Sequence, residues 1–292
     1  MDQIKEHITS WMNDHANNAI EPGSDVHAFS FPLVGIASAE DSLFDFLKSD
    51  IGHEFYWTPQ EAFSLAFKDE SVRADELSVI AWILPQTEQT RIAHRKAEAL
   101  PSIEWSKVRH YGEKVNENLR RYVVDLFTSE GLQACAPVLL PEWSGAVSEK
   151  YGFASSWSER HAAHACGLGT FGLSDGLITP AGKAVRVGSV IVRKRYSPTM
   201  QIRPYTQHNE WCLFQATGKC LACMRRCPAG AISESGHDKT KCKEYIRNVT
   251  AVYVEKEQLG FKVNSCGLCQ TKVPCESQNP LNRKIFPPRE KL

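Results

Sequence analysis

Apolar positions in the first two thirds of the chain follow two rhythms, one near 3.6 residues and one of short continuous runs. Residues 102–130 place Val115, Leu119, Val123 and Leu126 on one face of a long helix. Residues 4–17 suit a second, amphipathic helix. Thr58 followed by Pro59 marks another start, a capping side chain before a proline at the first helical position. Residues 155–166 predict a helix ended by Gly167. The apolar runs read as strands: 27–38 (HAFSFPLVGIAS, broken by Pro32), 77–84 (LSVIAWIL, stopped by Pro85), 134–140 (ACAPVLL) and 185–192 (VRVGSVIV). Strands separated by helices over residues 1–195 predict one α/β or α+β domain.

The pattern changes near residue 194. The stretch KRYSPTMQIRPYTQHNEW (194–211) is polar, holds two prolines and suits a linker. Residues 196–292 then form a second, smaller domain, rich in cysteine and built of short elements. Its tail, NPLNRKIFPPREKL, is basic and proline-rich, and is expected to pack over that domain or trail free.

The chain has 292 residues and a formal net charge of zero, so no bulk attraction to nucleic acid or membrane is implied. No run approaches the roughly 18–20 apolar residues of a membrane span. The first residues, MDQIKEHITSWMNDHANN, lack the basic start, apolar stretch and small-residue cleavage site of an export signal. With C-x2-C pairs in such a chain, metal ligation is expected over disulfides, in a reducing cytoplasm.

Eight of the ten cysteines lie between Cys212 and Cys275. The first run is Cys212, Cys220, Cys223 and Cys227, with Pro228 next. The second is Cys242, Cys266, Cys269 and Cys275. Eight thiolates suffice for two [4Fe–4S] clusters. The C-x2-C-x3-C-P core follows the bacterial ferredoxin pattern, in which the cysteine before proline ligates the other cluster. That interleaving assigns Cys212, Cys220, Cys223 and Cys275 to one cluster, and Cys227, Cys242, Cys266 and Cys269 to the other. The gap after Cys212 and the gap before Cys275 are longer than in the usual pattern. A structural zinc site is the bland alternative. A cluster with one open iron, should Cys212 not ligate, is another. Cys135 and Cys166 read as small buried hydrophobes, with a nucleophilic or redox role as the sharper alternative.

A second block, WSERHAAHACGLGTFG (157–172), runs a helix carrying Glu159, Arg160, His161 and His164 into Gly167, Gly169 and Gly172. Such glycines let backbone approach a flat or anionic ligand. The pattern does not follow a strand, so it is a poor dinucleotide fingerprint. The bland reading makes Glu159 and Arg160 a structural ion pair, and the two histidines a solvated face.

The block SERHAAHACGLGTFG together with CLACMRRCPAGAI resembles epoxyqueuosine reductase, a family related to the corrinoid reductive dehalogenases. The likeness covers roughly residues 100–280. It implies a cobalamin in a nitroreductase-like α/β domain, followed by a ferredoxin-like domain whose two clusters reduce the cobalt. By resemblance, Arg160, His161, Gly167, Gly169 and Gly172 lie near the corrinoid, as do residues 243–247, including Lys243 and Tyr245, and Gly267. An external flavodoxin or ferredoxin is the implied electron donor.

Departures from the family matter. Its catalytic aspartate, six residues before the Glu-Arg pair, is Phe153 here, and its lysine after the glycine turn is Leu173. Reductive dehalogenases use a tyrosine as acid, so Tyr151 is the expected proton donor. The tRNA-handling members continue into a helical repeat domain, whereas seventeen residues follow Cys275 here. With zero net charge, this points to a small-molecule substrate instead of nucleic acid. The expectation is therefore a cytoplasmic corrinoid-dependent iron–sulfur reductase. The alternatives are an electron carrier or corrinoid-reactivating protein without its own substrate, and an epoxyqueuosine reductase with a displaced acid.

Overall fold

A computed structural model describes residues 2–281. The basic tail expected to pack or trail free lies almost entirely outside them.

Helix α1 (Asp2–Asn13) leads to strand β1 (Leu33–Ser38), which begins just after Pro32. Two helices follow, α2 (Ser42–Ile51) and α3 (Pro59–Phe67). Thr58 caps α3 in a reciprocal box with Glu61, and Pro59 occupies the first helical position, as the sequence predicts. Next come β2 (Ser78–Pro85), α4 (Glu88–Arg95) and the 27-residue α5 (Ile103–Ser129), capped by Ser102.

The predicted strand at 134–140 is cut short. β3 keeps only Ala134–Cys135, and Pro137, which cannot donate to a ladder, opens a 3-10 turn instead. The predicted helix at 155–166 also shrinks. Its first residues belong to a hairpin of β4 (Gly145–Ser148) and β5 (Gly152–Ser155), and α6 spans Glu159–Ala165. A small pair, β6 (Thr170–Phe171) and β7 (Leu177–Ile178), precedes β8 (Val185–Val192).

β1, β2, β8 and β3 form one sheet in that order, every pairing antiparallel. The domain is thus α+β, the second of the two classes the sequence left open. The alternation of strands and helices was real, but the connections return each strand beside its neighbour in the opposite sense. β2 is wholly buried, and its two faces feed separate cores. Val79, Ala81 and Ile83 pack with α2, α3 and α6. Ile80, Trp82 and Leu84 pack with α1 and α5. Gly188 of β8 is required where the Trp82 indole crosses, since a Cβ there would overlap the ring.

Beyond residue 194 the chain has no regular element until α7 (Leu213–Thr217), yet it is pinned down. Tyr205 and Trp211 are buried against Leu173 and Ile178. The cysteine region then adds α8 (Ala222–Arg225), the hairpin β9 (Ile232–Ser233) and β10 (Gly236–His237), and α9 (Lys239–Tyr245). The helix runs on through a wide π turn (Ile246–Thr250) into α10 (Ala251–Val254). Among the described residues no helix is long and apolar enough to cross a membrane.

Candidate metal centre and adjoining cavities

All eight clustered cysteines are free thiols, buried or half-buried. Their electrostatic neighbours sort them. Cys275 senses Cys223, Cys212 and Cys220, and Cys223 senses Cys212 and Cys220. Cys266 senses Cys269, Cys242 and Cys227, and Cys242 senses Cys269 and Cys227. Two groups of four result, with Cys223 and Cys269 as electrostatic neighbours across them. Among the described residues no three His, Cys, Asp or Glu side chains converge as ligands of a single ion. Thiolates on different corners of an iron–sulfur cube share no atom, so the two kinds of centre make different spatial demands. Cys135 and Cys166 stand apart from both groups. Burial pushes the Cys135 thiol up to about 12 and raises Cys166 as well, which suits their reading as small hydrophobes.

Two cations that sequence reasoning passed over serve the cysteines. Lys183 is buried, and its Nζ donates to Ser174 Oγ at 3.0 Å. Arg226 donates to the carbonyls of Ala97 (2.7 Å) and Thr271 (3.3 Å) and lies near Cys266 and Cys269. Lys183 sits in an unremarkable sequence context, and Arg226 lies inside the CLACMRRCP run with nothing there to name its partners. Only tertiary structure reveals them.

Two cavities adjoin the centre. The larger, about 700 Å³, is lined by Cys242 together with Arg109, His237, Lys239, Lys243 and Arg247, and by the apolar Val147, Phe153, Ala154 and Ile246. Among the described residues no carboxylate lines it. The smaller, about 460 Å³, is lined by Asp50, Tyr56, Tyr151, Arg160, His161, Gly172, Asp175 and His208, among others. Phe153, Ala154 and Lys239 belong to both, so the cavities meet at β5. Lys243 stands 3.3 Å from the centroid of the Phe153 ring, and Lys239 donates to the Phe153 carbonyl. α9 thereby fixes the shared wall.

The Glu159–Arg160 pair divides in two. Glu159 is structural: Arg120 donates to it from Nε (2.7 Å) and Nη2 (2.6 Å), and the Ser189 amide adds a third bond. Arg160 turns into the smaller cavity and donates to the Asp175 carbonyl at 2.6 Å. The histidines are not a solvated face. His161 lines the cavity with Nδ1 2.8 Å from Ser158 Oγ, and burial drives its pKa well below the ordinary value. His164 is buried more deeply and also reaches the wall of that cavity; its neutral ring donates from Nδ1 to the Gly169 carbonyl and stacks on Tyr205.

Gly172 and Lys243 are cavity residues, one in each cavity. Gly167 (φ +80°) packs against Met200, Gly169 against the Ile178 carbonyl, and Gly267 (φ +70°) against Trp105. The Tyr245 hydroxyl donates to the Ala99 carbonyl at 2.9 Å. These four contribute to packing around the cavities, not to their linings.

Tyr151 lines the smaller cavity, and its hydroxyl donates to Asp50 Oδ2 at 2.6 Å, while Lys150 forms an ion pair with the same carboxylate. Burial and Asp50 together raise the Tyr151 pKa. Burial opposes the Asp50 charge, but its bonds from Lys150 and Tyr151 win and hold it below the usual carboxylate range. Asp175 behaves alike: burial opposes its charge, and His237, Lys239 and Arg160 hold it down. Asp50 is 101 residues from Tyr151, so no local pattern could have flagged it.

Comparison with known proteins gives one consistent name. The chain is 27% identical over 121 residues to an epoxyqueuosine reductase of Bacillus anthracis, a stretch covering 40% of this chain and 29% of that protein. It is 30% identical over 140 residues to one of Francisella cf. novicida, covering 46% and 36%. The matched stretch thus spans only about a third of these curated relatives. Among solved structures, the epoxyqueuosine reductase of Bacillus subtilis aligns over 94% of this chain and 66% of its own, at 17% identity and a TM-score of 0.47. An epoxyqueuosine reductase crystallised with an epoxyqueuosine-modified tRNA-Tyr stem loop aligns over the same shares, at 17% identity and a TM-score of 0.49. No protein-family model matches the chain. The resemblance carried by the 158–172 block and the cysteine runs is borne out by the curated relatives.

Proposed function

We propose that this chain is an epoxyqueuosine-reductase-like iron–sulfur oxidoreductase. It would hold one [4Fe–4S] cluster on Cys212, Cys220, Cys223 and Cys275, a second on Cys227, Cys242, Cys266 and Cys269, and a corrinoid in the adjoining cavities. The observation that carries this reading is the sorting of the eight thiols into two groups of four, one of which puts Cys242 in the wall of the larger cavity. The donor set fits clusters, being soft sulfur throughout. The cavity fits an amphipathic cofactor, with an apolar wall and five basic side chains. When bound, such groups supply one-electron transfer and a strongly reducing metal centre.

The protein's own residues do the rest. Lys239 and Lys243 hold β5 against α9 and keep Phe153 between the cavities. Arg160 presents a fixed positive charge to the smaller cavity. Both carboxylates there are held ionised, so the proton is assigned to Tyr151, the more exposed of the two lining tyrosines, which Asp50 orients. That constellation favours a protein with its own substrate over a bare electron carrier.

The substrate class is broader than net charge suggested. Zero overall charge conceals a cleft whose ionisable lining, apart from the Cys242 thiol, is entirely basic. Such a wall suits an anionic substrate, a nucleic-acid end as well as a small molecule.

The reading is tested by anaerobic reconstitution with iron and sulfide, addition of cobalamin, and EPR of the cobalt. A protein-bound Co(II) signal that bleaches on cluster reduction is expected. A Co(II) spectrum identical to that of free cobalamin contradicts it. In the reconstituted enzyme, Tyr151→Phe should lower turnover at least tenfold while cobalamin binding persists. Undiminished turnover removes Tyr151 from the mechanism.

A further inference from the structure

Lys183 is 3% exposed, yet among the described residues its side chain's hydrogen-bond partner is the neutral Ser174 hydroxyl, itself buried. A buried ammonium without a counter-charge costs several kcal/mol. The surroundings do not let it escape. Its own amide donates to the Cys275 carbonyl at 2.8 Å, and the next amide, Ala184, donates to Glu276 at 3.1 Å. Gly182 (φ +81°) presses so closely on this segment that a Cβ would overlap the Glu276 carbonyl. Lys183 is therefore clamped to the strand of chain that carries Cys275. Its charged neighbours are Cys275, Cys269, Cys223 and Cys212. Three belong to one group of four and one to the other.

We infer that Lys183 is a fixed positive charge placed between the two cysteine groups, which raises the reduction potential of the centre on Cys212, Cys220, Cys223 and Cys275 more than that of its neighbour. The inference rests on the cluster reading above. Reduction adds negative charge to a centre, and a buried cation stabilises the reduced form in proportion to its proximity and desolvation. Arg226 stands beside the other group and is less buried, so solvent screens its charge there more than it screens that of Lys183. Lys183 thus biases where an electron rests without touching substrate, which makes it a positioning residue for charge.

The test is an EPR-monitored redox titration of the reconstituted full chain and of Lys183→Gln and Lys183→Arg. Cys220→Ser identifies which reduced-cluster signal belongs to the first group. The expected result is a lower midpoint for that signal in Lys183→Gln, a smaller change in the other, and recovery in Lys183→Arg. Unmoved midpoints in a loaded Lys183→Gln protein overturn the inference, as does an equal fall in both variants, which would mark a role of shape alone. Should Lys183→Gln not retain clusters, Ser174→Ala releases the ammonium and must shift the same signal; no shift overturns the inference. A wild-type chain that takes up no cluster fails differently, since it removes the cluster reading itself.

Discussion

Two buried cations, Arg120 within the sheet domain and Lys183 beside the cysteines, are balanced in opposite ways. In the sheet domain, Arg120 is almost fully buried and answered by the protein itself, with two bonds to Glu159 and one to Glu113. Arg186 reaches the same Glu113 at 3.3 Å. Where the sheet domain meets the cysteine region, Lys183 is as deeply buried, and its charged neighbours are thiols. Arg120 is balanced by the chain's own carboxylates, as the buried Glu276 beside Cys275 is by Arg91 and Arg95. Lys183 is balanced only when the thiols become anionic ligands, which metal binding accomplishes. The difference separates a scaffold that completes itself from a site built around something it must acquire.

The largest test of that contrast is iron removal. Chelation under oxidising conditions should abolish hydrogen-exchange protection across α7, α8 and the β9–β10 hairpin while β2 and β8 remain protected. Uniform protection before and after would erase the distinction. Next in size, Arg120→Met leaves Glu159 buried and uncompensated and should cost about 3–5 kcal/mol in urea unfolding. A loss under about 1 kcal/mol would mean the sheet domain does not depend on its internal balance.

A pH experiment addresses the same half. Burial lowers the His164 pKa to about 4, from an ordinary 6.5. The unfolded chain therefore takes up a proton between those values that the folded chain refuses. Stability from this group is full above about pH 6.5 and is lost as pH falls towards 4, by about 3 kcal/mol. His164→Asn should flatten that slope. Smaller again, Gly188→Ala drives a methyl into the Trp82 indole and should cost about 1–3 kcal/mol, without altering iron content.

What the sequence disclosed follows the same division. The helix at 102–130 and the strands at 77–84 and 185–192 were legible because burial imposes a strict rhythm and Ser102 and Pro85 punctuate it. The β4–β5 hairpin was not, because its strands are four residues each and half of their positions are exposed. The antiparallel sense of the sheet was hidden too, since connection length does not dictate strand direction. Among site residues, the cysteines announce themselves by spacing. Asp50, Asp175 and Lys183 do not, because each acquires meaning only from partners brought together by the fold.

The most direct test of the central claim is an analysis of iron, acid-labile sulfide and zinc on anaerobically purified or reconstituted chain, with EPR of the reduced protein. Two clusters' worth of iron with matching sulfide, and two interacting reduced-cluster signals, are predicted. Zinc without sulfide would contradict the account and leave the cysteine region a structural module.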